Sequence, residues 1–80
     1  MTKLTEKEAA ALKKAFESCD VYNLTDEDVQ SYLDDGTATI NETRGGKDVA
    51  WVVWSENEQA AVYVDTMEEL SDDEIERELV

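Results

Sequence analysis

The sequence predicts an α+β fold: a three-stranded antiparallel meander with helices packed on one face, in the order α-α-β-β-β-α. Three observations carry this. Three stretches open with the same helix-start grammar, the middle of the chain is rich in β-branched and aromatic residues, and two turn signals divide that middle into strands of hairpin length. The eighty residues are expected to form one domain, because a chain this short encloses a single modest core.

The helix starts read Leu4-Thr5-Glu6-Lys7-Glu8, Leu24-Thr25-Asp26-Glu27-Asp28 and Leu70-Ser71-Asp72-Asp73-Glu74. In each, a hydroxyl at the N-cap accepts an orphan backbone N–H and an acid three residues on reaches back to the cap. The preceding leucine is placed to pack on Ala9, Val29 or Ile75 as a hydrophobic staple. The first helix is expected over residues 6–18, with Ala9, Leu12, Phe16 and Cys19 on one face. The second is expected over 26–35, with Val29, Tyr32 and Leu33 inward and Gly36 as its stop. The last is expected over 72–80, where Ile75 and Leu79 supply the apolar side.

Strands are expected over 37–43, 48–54 and 59–65. Arg44-Gly45-Gly46-Lys47 and Ser55-Glu56-Asn57-Glu58 read as two-residue hairpin turns. Pairing Arg44 with Lys47 sets Ile40 opposite Trp51 and Ala38 opposite Val53. Pairing Ser55 with Glu58 sets Val53 opposite Ala60, Trp51 opposite Val62 and Val49 opposite Val64. Both hairpins then gather Ala38, Ile40, Val49, Trp51, Val53, Ala60, Val62 and Val64 on the core face. Ala50, Val52, Trp54, Ala61 and Tyr63 are left on the second face, either under a covering element or as an exposed patch able to anchor a partner or a homodimer contact.

Composition narrows the function. No histidine is present, so the usual general base and the triads built on it are missing. Cys19 is the one cysteine, which excludes an intrachain disulfide and a thiolate metal cluster; at the end of an apolar helix face it reads as a packing thiol. Gly45-Gly46 is a turn and not a phosphate cradle. Residues 31–42 place Gly36 and Glu42 as a calcium loop would, but Ser31 and Leu33 occupy positions that need carboxylates. No enzyme activity, cofactor or tight metal site is therefore expected. No apolar run has the length of a membrane span or a signal-peptide core, so a cytoplasmic location is expected.

The charge is the unusual quantity. Twenty-one acids face seven bases, a net charge of −14. Residues 1–19 carry four lysines against three glutamates, whereas residues 20–80 carry eighteen acids against Arg44, Lys47 and Arg77. Ordinary solubility in a small domain needs a net charge of magnitude roughly 2–8. Direct binding to nucleic acid or an anionic bilayer is disfavoured, since both are polyanions. The candidate partner-binding residues are the acid clusters Asp26, Glu27 and Asp28; Asp34 and Asp35; Glu68 and Glu69; and Asp72, Asp73, Glu74, Glu76 and Glu78. Trp54 and Tyr63 are the candidate aromatic anchors. Taken singly, each acid cluster is a solvated face or a cap. Together, held by a rigid small fold, they are expected to imitate the charge spacing of duplex DNA, which presents one phosphate per roughly 3.4 Å of helix axis on each strand. The competing reading is an acidic adaptor or salt-adapted domain whose charge serves solubility.

Small size, absent histidine, capped short helices, a three-stranded meander and dense Asp/Glu together resemble the small acidic inhibitors encoded by phages, such as the DNA-mimic anti-CRISPR proteins and the uracil-DNA glycosylase inhibitor. The resemblance is one of composition and architecture over the whole chain, and carries no residue over by position. It implies a stoichiometric inhibitor in the host-cell cytoplasm that blocks the DNA- or PAM-binding surface of a basic nucleic-acid-binding protein or CRISPR effector complex.

Overall fold

The computed structural model describes residues 4–79. The elements are α1 (Glu6–Ser18), α2 (Asp26–Asp35), β1 (Ala38–Glu42), β2 (Asp48–Ser55), β3 (Glu58–Tyr63) and α3 (Asp72–Glu78). They form a three-helix, three-stranded α+β fold in the expected order, with the antiparallel sheet ordered β1-β2-β3. Val80, expected in the last helix, lies outside the described residues.

All three helix starts are complete capping boxes. The Thr5 hydroxyl accepts the Glu8 N–H at 3.1 Å while Glu8 accepts the Thr5 N–H at 2.9 Å. Thr25 with Asp28 and Ser71 with Glu74 repeat the arrangement at 3.0–3.2 Å. At the far end of α2, Gly36 takes a left-handed φ of +89°, which glycine adopts at no steric cost.

The apolar stripe of α1 enters a core with Val29 of α2, Ala38 of β1, Ala50 and Val52 of β2, and Ala60 and Val62 of β3. Phe16 and Leu12 are fully buried there, each worth about 1.5–3 kcal/mol by transfer. A second cluster forms on the opposite face of the sheet. Val49, Ala61, Leu70 and Ile75 are buried in it, and Trp51, Tyr63 and Leu79 pack against it. Thus α1 and α2 cover one face, and the C-terminal segment with α3 covers part of the other.

Strand β2 is turned over relative to the expected register. Ala38 stands opposite Val52, Ile40 opposite Ala50, Ala50 opposite Val62 and Val52 opposite Ala60. Ala50 and Val52 therefore face the main core, while Val49, Trp51 and Val53 face the other way. Two one-residue differences produce this. The first turn holds three residues, Arg44 to Gly46, closed by Thr43 and Lys47. The Thr43 N–H donates to the Lys47 carbonyl at 2.8 Å and the Gly46 N–H to the Thr43 carbonyl at 2.9 Å. Gly46 follows at φ +83°, giving the three-residue hairpin with a left-handed glycine. In the second hairpin Ser55 does pair with Glu58, but a bulge between Val53 and Ser55 shifts every pair beyond it by one. A one-residue slip sends every side chain of a strand to the opposite face.

Candidate acidic interface

The acid clusters occupy the ends of helices and the turns. Asp26, Glu27 and Asp28 form the first turn of α2, and Asp72, Asp73 and Glu74 that of α3. Asp34 and Asp35 close α2, Glu68 and Glu69 lie between β3 and α3, and Glu76 and Glu78 follow on α3. All twelve are exposed except Glu74 and Glu78, which are half-buried.

Several of these carboxylates also have local work. Asp28 and Glu74 are the reciprocal members of capping boxes. Asp26 meets Lys13 at 2.7 Å, the Gln30 amide donates to Asp34 at 3.2 Å, and the Ser18 hydroxyl donates to Glu69 at 2.8 Å. Glu78 stands 3.6 Å from Arg77. The Thr37 N–H donates to Asp35 at 2.9 Å, and that bond holds the Asp35 carboxyl below its ordinary range. Glu27, Glu68, Asp72, Asp73 and Glu76 project into solvent from this fixed frame.

Tertiary structure groups acids that are distant in sequence. The end of α1, the β2–β3 turn and the start of α3 enclose a cavity of about 240 Å³ lined by Ser18, Cys19, Glu56, Asn57, Glu58, Gln59 and Asp72. This brings Asp72 beside Glu56 and Glu58, two acids not among the candidates from sequence. Nearby acids also act on two groups at this end of α1. The Cys19 thiol is pushed up by burial, then by the charges of Glu58 and Asp20. The Tyr22 phenol is pushed up chiefly by Asp20, to which it donates at 3.3 Å. At the opposite end of α1, Glu6 and Asp26 line another cavity with Leu4, Thr5, Ala9 and Gln30. A third cavity brings Glu68 beside Asp48, Asp65 and Tyr63. Asp20, Asp48, Glu56, Glu58 and Asp65 each stand outside an acid run, so no local signal marked them.

The two candidate aromatic anchors do not share a face. Trp54, at the bulge of β2, packs its indole edge-on to Phe16 and Tyr32, with ring centroids 6.1 and 5.7 Å apart, on the side of α1 and α2. It remains 40% exposed. Tyr63 packs against the second cluster, on the opposite face. Val53, expected in the core, is 46% exposed, and Trp51 reaches Gln59 across the second face with an Nε1–H···O bond of 3.2 Å.

Residues 31–42 are divided between α2, the Gly36 stop and β1, so they form no continuous ion-binding loop. Among the described residues no group of three or more His, Cys, Asp or Glu is arranged to hold a metal ion, and no helix is long and apolar enough to cross a membrane. No known protein family, curated protein or solved structure matches the chain.

Proposed function

We propose that this protein is a non-catalytic, stoichiometric inhibitor that imitates the charge of nucleic acid and occupies the basic groove of a nucleic-acid-binding protein or nuclease complex in the cytoplasm, as the DNA-mimic anti-CRISPR proteins do. The observation that carries the reading is a net charge of −14 borne mostly by exposed carboxylates on a small, capped fold. The longest dimension, 30 Å, matches the helix-axis rise of about nine nucleotides of a duplex. Because the backbone that carries these carboxylates is already folded, docking orders little of the chain, which favours affinity. Long-range attraction steers a basic partner toward the surface, and salt weakens the complex.

The test is capture from lysate at low salt on the tagged protein, followed by a salt step. Recovery of one nucleic-acid-processing complex that duplex DNA displaces is the expected result. Simultaneous Glu56→Lys, Glu58→Lys and Asp72→Lys substitutions are expected to lower that affinity at least tenfold. A broad spread of basic proteins, indifferent to duplex DNA and to charge reversal, would overturn mimicry and favour a charge that serves solubility.

A further inference from the structure

One stretch of the acidic surface is shaped as well as charged. A cavity of about 200 Å³ opens between the start of β2 and the β3–α3 connection, lined by Lys47, Asp48, Tyr63, Asp65, Thr66 and Glu68. Backbone hydrogen bonds fix its wall. The Val64 N–H donates to the Asp48 carbonyl at 3.1 Å, the Tyr63 N–H to the Glu68 carbonyl at 2.8 Å, and the Met67 N–H to the Tyr63 carbonyl at 2.8 Å. The Thr66 hydroxyl accepts the Glu68 N–H at 3.3 Å, and the Lys14 ammonium donates to the Met67 carbonyl from α1. The cavity is thus formed before a partner arrives, and filling it orders little of this chain.

The chemistry of the cavity selects a cation, and the chain already places one there. The Lys47 ammonium stands 5.5 Å from the centroid of the Tyr63 ring, within cation–π range. Asp48, Asp65 and Glu68, all exposed, line the same cavity and make its surroundings negative. An aromatic face in a cavity lined by acceptors complements a guanidinium, which is planar, stacks on aromatic rings and carries five N–H donors. The geometry points to a seat for one arginine side chain of the basic partner, stacked on Tyr63 in the place Lys47 now takes. The inference rests on the proposed mimicry and adds a specific contact to it. Lys47 is a built-in competitor, since its hydrated ammonium on a flexible stem swings readily into water.

The seat is tested by following the tyrosine ring resonances while Nα-acetyl-argininamide is added at low salt, with the lysine and neutral citrulline analogues in parallel. The arginine probe is expected to shift Tyr63 saturably while Tyr22 and Tyr32 stay behind, with the lysine probe weaker and citrulline inert. Tyr63→Phe is expected to keep arginine binding, read from the Phe ring, and Tyr63→Leu to weaken it about two- to five-fold. Lys47→Gln is expected to tighten it, whereas Arg77→Gln, the same charge change outside the cavity, leaves it nearly unchanged. Equal shifts at Tyr22 and Tyr63, loss of binding in Tyr63→Phe, equal tightening by Lys47→Gln and Arg77→Gln, or equal binding of the lysine probe would each overturn the arginine seat. Those results leave the charge mimicry intact. Conversely, a saturable Tyr63 site in a protein that captures no duplex-displaceable complex would remove the mimicry and keep the seat.

Discussion

Cys19 shows how the acidic surface reaches individual residues. Its thiol is buried, and burial together with the charges of Glu58 and Asp20 raises its proton affinity in the folded state. A raised folded-state value means that the neutral thiol stabilises the fold fully below the ordinary thiol range. This contribution is lost as pH rises through the folded-state value. The urea midpoint is therefore expected to fall as pH rises above the ordinary thiol range, and Cys19→Ala to flatten the decline. An unchanged slope in Cys19→Ala would mean that other groups govern the alkaline limb. Tyr22, held up mainly by Asp20, adds a further loss at higher pH, with the same sign. The capping roles of Asp28 and Glu74 were legible because each lies three residues after its cap. The neighbourhood of Cys19 was not, since Glu58 reaches it only when β3 is folded beside α1.

Among the elements, the helices begin at Glu6, Asp26 and Asp72, each directly after its cap, and the strands follow the expected order but not the expected facing. Helix signals are local: a cap, a periodic face and a stop all lie within one segment. Facing in β2 depends on a turn that admits two lengths. Val49 to Trp54 is an unbroken apolar run, so alternation does not distinguish its faces, and turn geometry decides the register. Gly46 is the residue on which that turn rests. A Cβ at Gly46 would meet only Glu42 Oε1, at an ordinary 3.8 Å, so the cost of Gly46→Ala lies in its φ of +83°. We expect a loss of about 1–2 kcal/mol. In a domain of this size the melting temperature then falls by roughly 5–15 °C. Gly45→Ala, without a positive φ and with Thr43 Oγ1 at 3.8 Å, is the near-neutral control. Equal melting temperatures for the two variants would show that the left-handed φ of Gly46 costs an alanine nothing there.

Across the whole molecule the governing quantity is self-repulsion. At about 0.01 M salt the Debye length is about 30 Å, and at 1 M it is about 3 Å. The molecule measures 30 × 25 × 20 Å, so at low salt its charges act on one another across its full extent. The melting temperature is expected to rise with salt over this range while affinity for a basic partner falls, because screening relieves the repulsion and weakens the attraction. Thermal melts and binding titrations in the same salt series check both. A chain that folds only near molar salt would favour the salt-adapted reading, since mimicry needs a folded surface where attraction is strong.

The sequence by itself determined three capped helices, their apolar faces, the order of the elements and a surplus of negative charge. Each of these is local or additive: a cap needs four residues, a helical stripe one segment, and a charge total no structure at all. Tertiary structure alone decided that Val52 and Ala50 point to α1 while Val49 and Trp51 do not, that Trp54 and Tyr63 stand on opposite faces, and that Asp72 joins Glu56 and Glu58. These depend on one extra loop residue and one bulge, and both faces of the sheet are apolar. The hydrophobic pattern therefore left the facing of β2 open, and the hydrogen bonds of two turns settled it.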